Sequence, residues 1–188
     1  MLRGATLDAV YLDLLAAVAR RLGDLWNADL VEFTDVTIAL GRLQRVLREL
    51  AADARVPGRN GTAQRKVLLV PVPGEQHTFG LNMVSEFFRA SGWGVWAEPP
   101  TQPAALVALV RDHWFDLVGF SIGNDRRIEP LAELIRSIRR TSHNRAVRVL
   151  VGGPLLLARP QLATLLGADA SAADARQAML AADRLMAK

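Results

Sequence analysis

The stretch KVLLVPVPGEQHTFG, Lys66 to Gly80, decides how this chain reads. Its first half is a continuous apolar run, Val67 to Val70, of the kind that forms a strand buried on both faces. Its second half breaks the run with Pro71, Pro73 and Gly74, then presents Glu75, His77 and Gly80. Proline and glycine punctuate strands, so these groups fall on a loop at a strand's carboxyl end. From Lys66 onward, apolar runs alternate with helical stretches. The expected strands are Val67 to Val72, Gly94 to Ala97, Asp116 to Ser121, Val147 to Val151 and a short one near Ala168 to Ser171. The expected helices are Phe79 to Ala90, Pro103 to His113, Ile128 to Arg140, Arg159 to Leu166 and Ala172 to Met186. This alternation predicts an α/β fold with a doubly wound, parallel, five-stranded sheet. Ligands of such sheets sit at the strands' carboxyl ends beside a switch in strand order. The loops PVPGEQHTFG, SIGNDRR and VGGP are therefore the candidate site.

The residues before Lys66 read differently. Leu7, Val10, Leu14, Ala17, Val18 and Leu22 keep a helical spacing, as do Val36, Leu40, Leu43, Val46, Leu47 and Leu50. Between these runs, Asn27, Asp29 and Thr34 are candidate caps. ARVPGRNGTAQR (Ala54 to Arg65), rich in glycine and polar residues, reads as a linker. The expected organisation is a helical cap over 1–54, a linker over 55–65 and an α/β domain over 66–188.

Composition narrows the chemistry. Half of the 188 residues are apolar, enough for a sizeable core. With no cysteine there are no disulfides, thiolate metal sites or cysteine nucleophiles. Asp8 and Asp13 interrupt the amino terminus, and no segment reaches the length of a membrane span, so a cytoplasmic protein is expected. Of 23 basic residues only Lys66 and Lys188 are lysines. The arginines Arg136, Arg139, Arg140, Arg145 and Arg148 would suit an acidic or phosphate-bearing partner, or reflect genome composition alone. No aromatic residues interleave them, which argues against a base-stacking surface.

Glu75-x-His77-x-x-Gly80, then Ser121, then Gly152-Gly153, resembles the signature of cobalamin-binding flavodoxin-like domains. The family pattern is Asp-x-His-x-x-Gly, Ser-x-Leu and Gly-Gly. The resemblance spans Lys66 to Lys188 and implies that His77 coordinates cobalt from below, displacing the cofactor's own benzimidazole. It further implies that Gly80, Ser121, Gly123, Gly152 and Gly153 line the displaced nucleotide tail. Two positions depart from the pattern. Glu75 stands for the aspartate that orients the histidine, and Gly123 for a leucine. A haem-binding relative of similar fold is the alternative these departures leave open.

LGDLWNADLVEFTDVTIALGRLQRVLREL (Leu22 to Leu50), with PGEQHTFGL and FFRASGWGVW, is similar to the cobalamin-dependent antirepressors of photosynthesis genes, the AerR/PpaA type. That resemblance implies a non-enzymatic photoreceptor that binds adenosyl- or hydroxocobalamin and antagonises a transcriptional repressor protein. DNA would be reached only through the partner complex. Trp26 would contact the cofactor's upper face. Light-sensing relatives carry a Glu-His pair in the cap where this chain has Val36-Thr37, so the cap supplies no upper ligand of that kind. A cap of two or three helices is short, and a homodimer would complete it. A corrinoid carrier of a methyltransferase is the other alternative, with a fuller four-helix cap.

Bland readings accompany each of these residues. Trp26 also suits a core position between helices, and Glu75 a helix amino terminus. GFSIG (Gly119 to Gly123) matches the nucleophile elbow of hydrolases. Only His143 follows it, too close in sequence to leave room for the rest of a triad. His113 reads as a helix end and His143 as part of a polar turn. No Walker-type phosphate loop follows the first strand, and no histidine–carboxylate cluster has zinc spacing.

Overall fold

The computed structural model describes residues 6–53, 65–72, 79–97 and 99–187. The chain divides into two compact units, Met1–Gly58 and Arg59–Lys188. The expected linker, apart from Arg65, lies outside the described residues.

The first unit is built from two long helical stretches. The first comprises α1 (Leu7–Ala9), a π-helical segment Val10–Leu15 and α2 (Ala16–Asn27). The second is α3 (Phe33–Asp53). Thr6 caps the first stretch, its hydroxyl accepting from the Ala9 N–H at 3.2 Å. Of the expected caps, Asp29 marks the end of α2: it takes φ +54°, which a short polar side chain tolerates. Asn27 is instead the last residue of α2, and Thr34 lies inside α3. At that start Asp35 does the capping, its carboxylate accepting from the Glu32 N–H at 3.3 Å. Tyr11, Leu15, Val36, Leu47 and Ala51 are the buried apolar residues of this unit among those described.

The second unit is a parallel five-stranded sheet of order β2-β1-β3-β4-β5. Its strands are β1 (Lys66–Pro71), β2 (Gly94–Trp96), β3 (Leu117–Ser121), β4 (Arg148–Gly152) and β5 (Ala170–Ala172). The helices are α4 (Phe79–Ala90), α5 (Pro103–Asp112), α6 (Ile128–Thr141), α7 (Pro154–Ala158), α8 (Leu162–Leu166) and α9 (Ala175–Met186). This is the flavodoxin-like arrangement expected. Two details differ from expectation. The helix expected over Arg159 to Leu166 begins only at Leu162, and α7 precedes it, started by Pro154 in the first turn where its missing N–H costs nothing. Ala172 belongs to β5, because Asp174 opens α9 by accepting from the Gln177 N–H at 2.8 Å.

Alternation along the strands sorts the side chains into two layers. Leu68, Val70, Val118, Phe120, Val149 and Val151 bury one face in a core shared with α5, α6, α7 and α8. The other face packs against α4 and α9, which also pack on each other. Ser121 and Gly152 share the register parity of Leu117 and Leu150, and so belong to this second face. There α9 offers small buried residues, Ala175, Ala178 and Ala182.

Candidate functional site

Strand order reverses between β1 and β3: the chain steps from β1 outward to β2, then returns to add β3, β4 and β5 on the other side. Helices that depart to opposite faces leave a crevice at such a point. Its floor is a single register row, Pro71–Ser121–Gly152–Ala172, across four strands. Beyond this row the backbone continues the pairing, with the Val72 N–H donating to Ser121 O at 3.1 Å and the Ile122 N–H to Gly152 O at 3.0 Å.

Ser121 and the two glycines meet here. Gly153 has φ +104°, and a Cβ built on it would stand 2.6 Å from Ile122 O and 3.0 Å from Ser121 Oγ. A Cβ on Gly152 would stand 3.0 Å from Ala172 O. Gly153 therefore requires glycine, for its backbone angle and the close approach together, while a side chain at Gly152 would be tight against Ala172 O. The Ser121 hydroxyl is half-buried, faces this bare backbone and has no hydrogen-bond partner among the described residues. Gly123 follows, half-buried, in the segment that leads to a 3-10 turn, Asp125–Arg127. Gly80 lies in the first turn of α4, exposed, with open space where a Cβ would go. Trp26 belongs to the first unit, at the end of α2, its ring 6.4 Å from that of Phe33. Glu75 and His77 lie outside the described residues, within 73–78.

The sequence pattern did not pair Asp125 with Arg159. The Arg159 guanidinium donates to the Asp125 carboxylate, tying the segment after β3 to the end of α7. They are thirty-four positions apart, so no local motif signals the pair. Beside them an open cavity of about 600 Å³ is lined by Asn124, Asp125, Arg126 and Arg127.

Other candidates fall away from this edge. His143 follows α6 at the amino end of the sheet, its N–H on Val110 O at 2.8 Å, while Ser121 closes β3 at the carboxyl end. A Ser121–His143 couple is therefore not assembled. His113 ends α5, as its sequence suggests, with its ring 5.2 Å from Trp96. Much of the arginine cluster is committed internally. Arg139 donates to Asp169 and Gly167 O, both at 2.8 Å, and Arg145 donates to Arg140 O. The Asp112 carboxyl, held below its ordinary range by the hydrogen bond from Arg111, is exposed at the end of α5. Among the described residues no group of three or more His, Asp or Glu is placed to hold a metal ion, and no helix is long and apolar enough to cross a membrane.

Residues 65–183 match the family model for the B12 binding domain. The chain belongs to the B12-binding domain family. An uncharacterized 20.5 kDa protein in the bchF-crtJ intergenic region of Rhodobacter capsulatus is 32% identical to it over 154 residues, 80% of this chain and 78% of that protein. Solved structures share the fold at lower identity. The monomethylamine corrinoid protein of Methanosarcina barkeri superposes with TM-score 0.75 at 16% identity, over 98% of this chain and 85% of that one. A cobalamin-binding protein from Desulfitobacterium hafniense DCB-2 gives TM-score 0.59 at 18% identity, over 94% of this chain and 83% of that one. The methanol:cobalamin methyltransferase complex MtaBC of M. barkeri gives TM-score 0.59 at 14% identity, over 95% of this chain and 67% of that one.

The described edge fits what a B12-binding domain must hold. A cobalamin tail presents a phosphate and sugar hydroxyls, and an unpartnered serine hydroxyl beside side-chain-free backbone offers both a donor and close approach. Family membership supports cobalamin or corrinoid binding.

Proposed function

We propose that this B12-binding domain protein binds cobalamin at the carboxyl edge of its sheet and acts as a light-responsive transcriptional antirepressor through a protein partner, without catalysing a reaction. The observation that carries the binding is the row Pro71–Ser121–Gly152 at the switch point, with the Ser121 hydroxyl unpartnered among the described residues against Gly153. In this reading His77 is the lower cobalt ligand and Glu75 its carboxylate support. Ser121 donates to the tail, while Gly80, Gly123, Gly152 and Gly153 let backbone come close to it. Trp26 would contact the bound cofactor. Adenosylcobalamin, when bound, would supply a photolabile cobalt–carbon bond. The first unit would then pack differently in the dark and after light, and a partner would bind one arrangement better than the other. A tenfold preference requires about 1.4 kcal/mol of differential affinity.

The regulatory part is supported by the resemblance of Leu22 to Leu50 to the antirepressors and by the relative from the bchF-crtJ intergenic region. A cytoplasmic regulator reaching DNA only through its repressor partner follows from the same reading. A corrinoid carrier is the second reading, favoured by the TM-score of 0.75 over nearly the whole chain to a monomethylamine corrinoid protein. Reconstitution with adenosyl-, methyl- and hydroxocobalamin, followed by absorbance in the dark and after illumination, tests both. The antirepressor reading expects tight adenosylcobalamin binding and a light-dependent change in affinity for a repressor. Light-independent behaviour with methyl transfer from a methyltransferase would favour the carrier, and a Soret band with haem alone would overturn cobalamin.

A further inference from the structure

The turn between α2 and α3 carries an open groove of about 530 Å³ lined by both apolar and acidic residues. Trp26, Leu30 and Phe33 form the apolar part and are 40%, 70% and 65% exposed. Asp29, Glu32 and Asp35 line the same groove. Exposed large apolar residues grouped in one concave place mark an interaction site more often than single ones do. We propose that this groove docks a cationic, amphipathic segment of a partner protein, one that sets an aliphatic or aromatic anchor against Trp26 and Phe33 and arginines or lysines against the carboxylates.

Charge is what identifies the occupant. From Leu22 to Gly41 the chain carries four acidic residues, Asp24, Asp29, Glu32 and Asp35, and no basic one, although the whole chain is net +4. The positive excess therefore lies entirely elsewhere, and this tip is an acidic island. None of the four carboxylates is ion-paired among the described residues. They are also not arranged as a metal site. Carboxylates lining a groove beside apolar anchors steer basic segments inward and repel acidic ones. A second copy of this chain fits less well, because Arg139 and Arg145 of its densest arginine cluster are already bonded to Asp169 and to backbone carbonyls. The inference rests on the proposed regulatory function in taking the docked protein to be its partner, and Trp26 serves cofactor and partner in different light states.

The test uses the full chain and two synthetic helical peptides, one of leucine and arginine, the other with glutamate in place of arginine. Backbone amide resonances of the protein are followed during titration, in parallel with cobalamin absorbance on the same samples. The expected result is binding of the arginine peptide alone, weakened by salt, with shifts confined to the tip around Asp24 to Ile38. The charge-neutral triple variant Asp29→Asn, Glu32→Gln, Asp35→Asn should lose at least tenfold in affinity at unchanged helix content, and Phe33→Ala should lose a comparable factor. Equal binding of the glutamate peptide, undiminished binding to the triple variant or to Phe33→Ala, or shifts outside the tip would overturn the proposal. So would sedimentation showing that the tip is covered by a second copy, or cobalamin shifting the same resonances and blocking the peptide both in the dark and after light. A protein that takes no cobalamin while its tip binds the arginine peptide would break the proposed function and leave the docking surface standing.

Discussion

The two ends of the sheet are finished in opposite ways. At the amino end, side chains close off backbone and polar groups. Asp116 accepts the Lys66 N–H at 2.7 Å and the Trp114 indole at 3.0 Å. Asp169 accepts the Val149 N–H at 2.7 Å and the Arg139 guanidinium at 2.8 Å. Asn144 donates to Phe115 O and accepts from the Ala146 N–H, both at 2.9 Å. At the carboxyl end the residues in register are a proline, a serine with a free hydroxyl among the described residues, and glycine. Buried polar groups are costly unless paired, so the difference separates the two jobs. One end holds the strands together, and the other is left for something that arrives later.

Substitutions at the two ends should therefore separate stability from binding. The largest effect is expected where the two overlap. Gly153→Ala places a Cβ into Ile122 O at a backbone angle that L residues avoid, and should cost about 3 kcal/mol of stability as well as cobalamin affinity. Chemical denaturation with and without cobalamin measures both, and a variant of wild-type stability would mean that the β3 and β4 ends do not meet as described. At the amino end, Asp169→Ala leaves the Val149 N–H without its carboxylate acceptor and the Arg139 guanidinium with backbone carbonyls alone. It should cost about 2 kcal/mol of stability, with cobalamin affinity of the folded fraction unchanged. Ser121→Ala should do the reverse: a melting curve close to wild type and cobalamin binding weaker by about 0.5–1.5 kcal/mol. Labelling of Ser121 by a serine-reactive phosphonate would point instead to a nucleophile.

The smallest effect concerns an exception at the closed end. The Ser142 hydroxyl, at the end of α6, is buried with no partner among the described residues. Ser142→Ala should leave stability unchanged or raise it by up to about 1 kcal/mol, since an unpaired buried hydroxyl is lost. A marked loss of stability would show that a bound water completes the amino end too.

The sheet was legible because its strands are short apolar runs cut by proline, glycine or polar residues, and α4 was read over Phe79 to Ala90 as the structure has it. What escaped was set by tertiary contact or by local capping. Gly-Gly-Pro reads as loop, yet Pro154 starts α7. Ala172 reads as helix, yet β4 recruits it as the end of β5. The candidate site was legible in part. Gly152 and Gly153 were singled out as walls for a ligand, and their positions show a further reason for glycine, since a Cβ would strike Ile122 O at Gly153 and crowd Ala172 O at Gly152. Sequence alone cannot separate a glycine that the fold requires from one that a ligand requires. The Asp125–Arg159 tie and the acidic groove beside Trp26 were missed for another reason, because each depends on which exposed side chains the fold brings together.

The central claim is that the open end of the sheet receives cobalamin with a protein histidine beneath cobalt. Electron paramagnetic resonance of the bound cofactor in its cobalt(II) state tests it directly, using protein labelled with nitrogen-15 histidine. The account predicts that labelling turns the nitrogen superhyperfine triplet into a doublet, and that His77→Ala abolishes the doublet. A triplet unaffected by the label would mean that the cofactor keeps its own benzimidazole and that His77 is not its ligand.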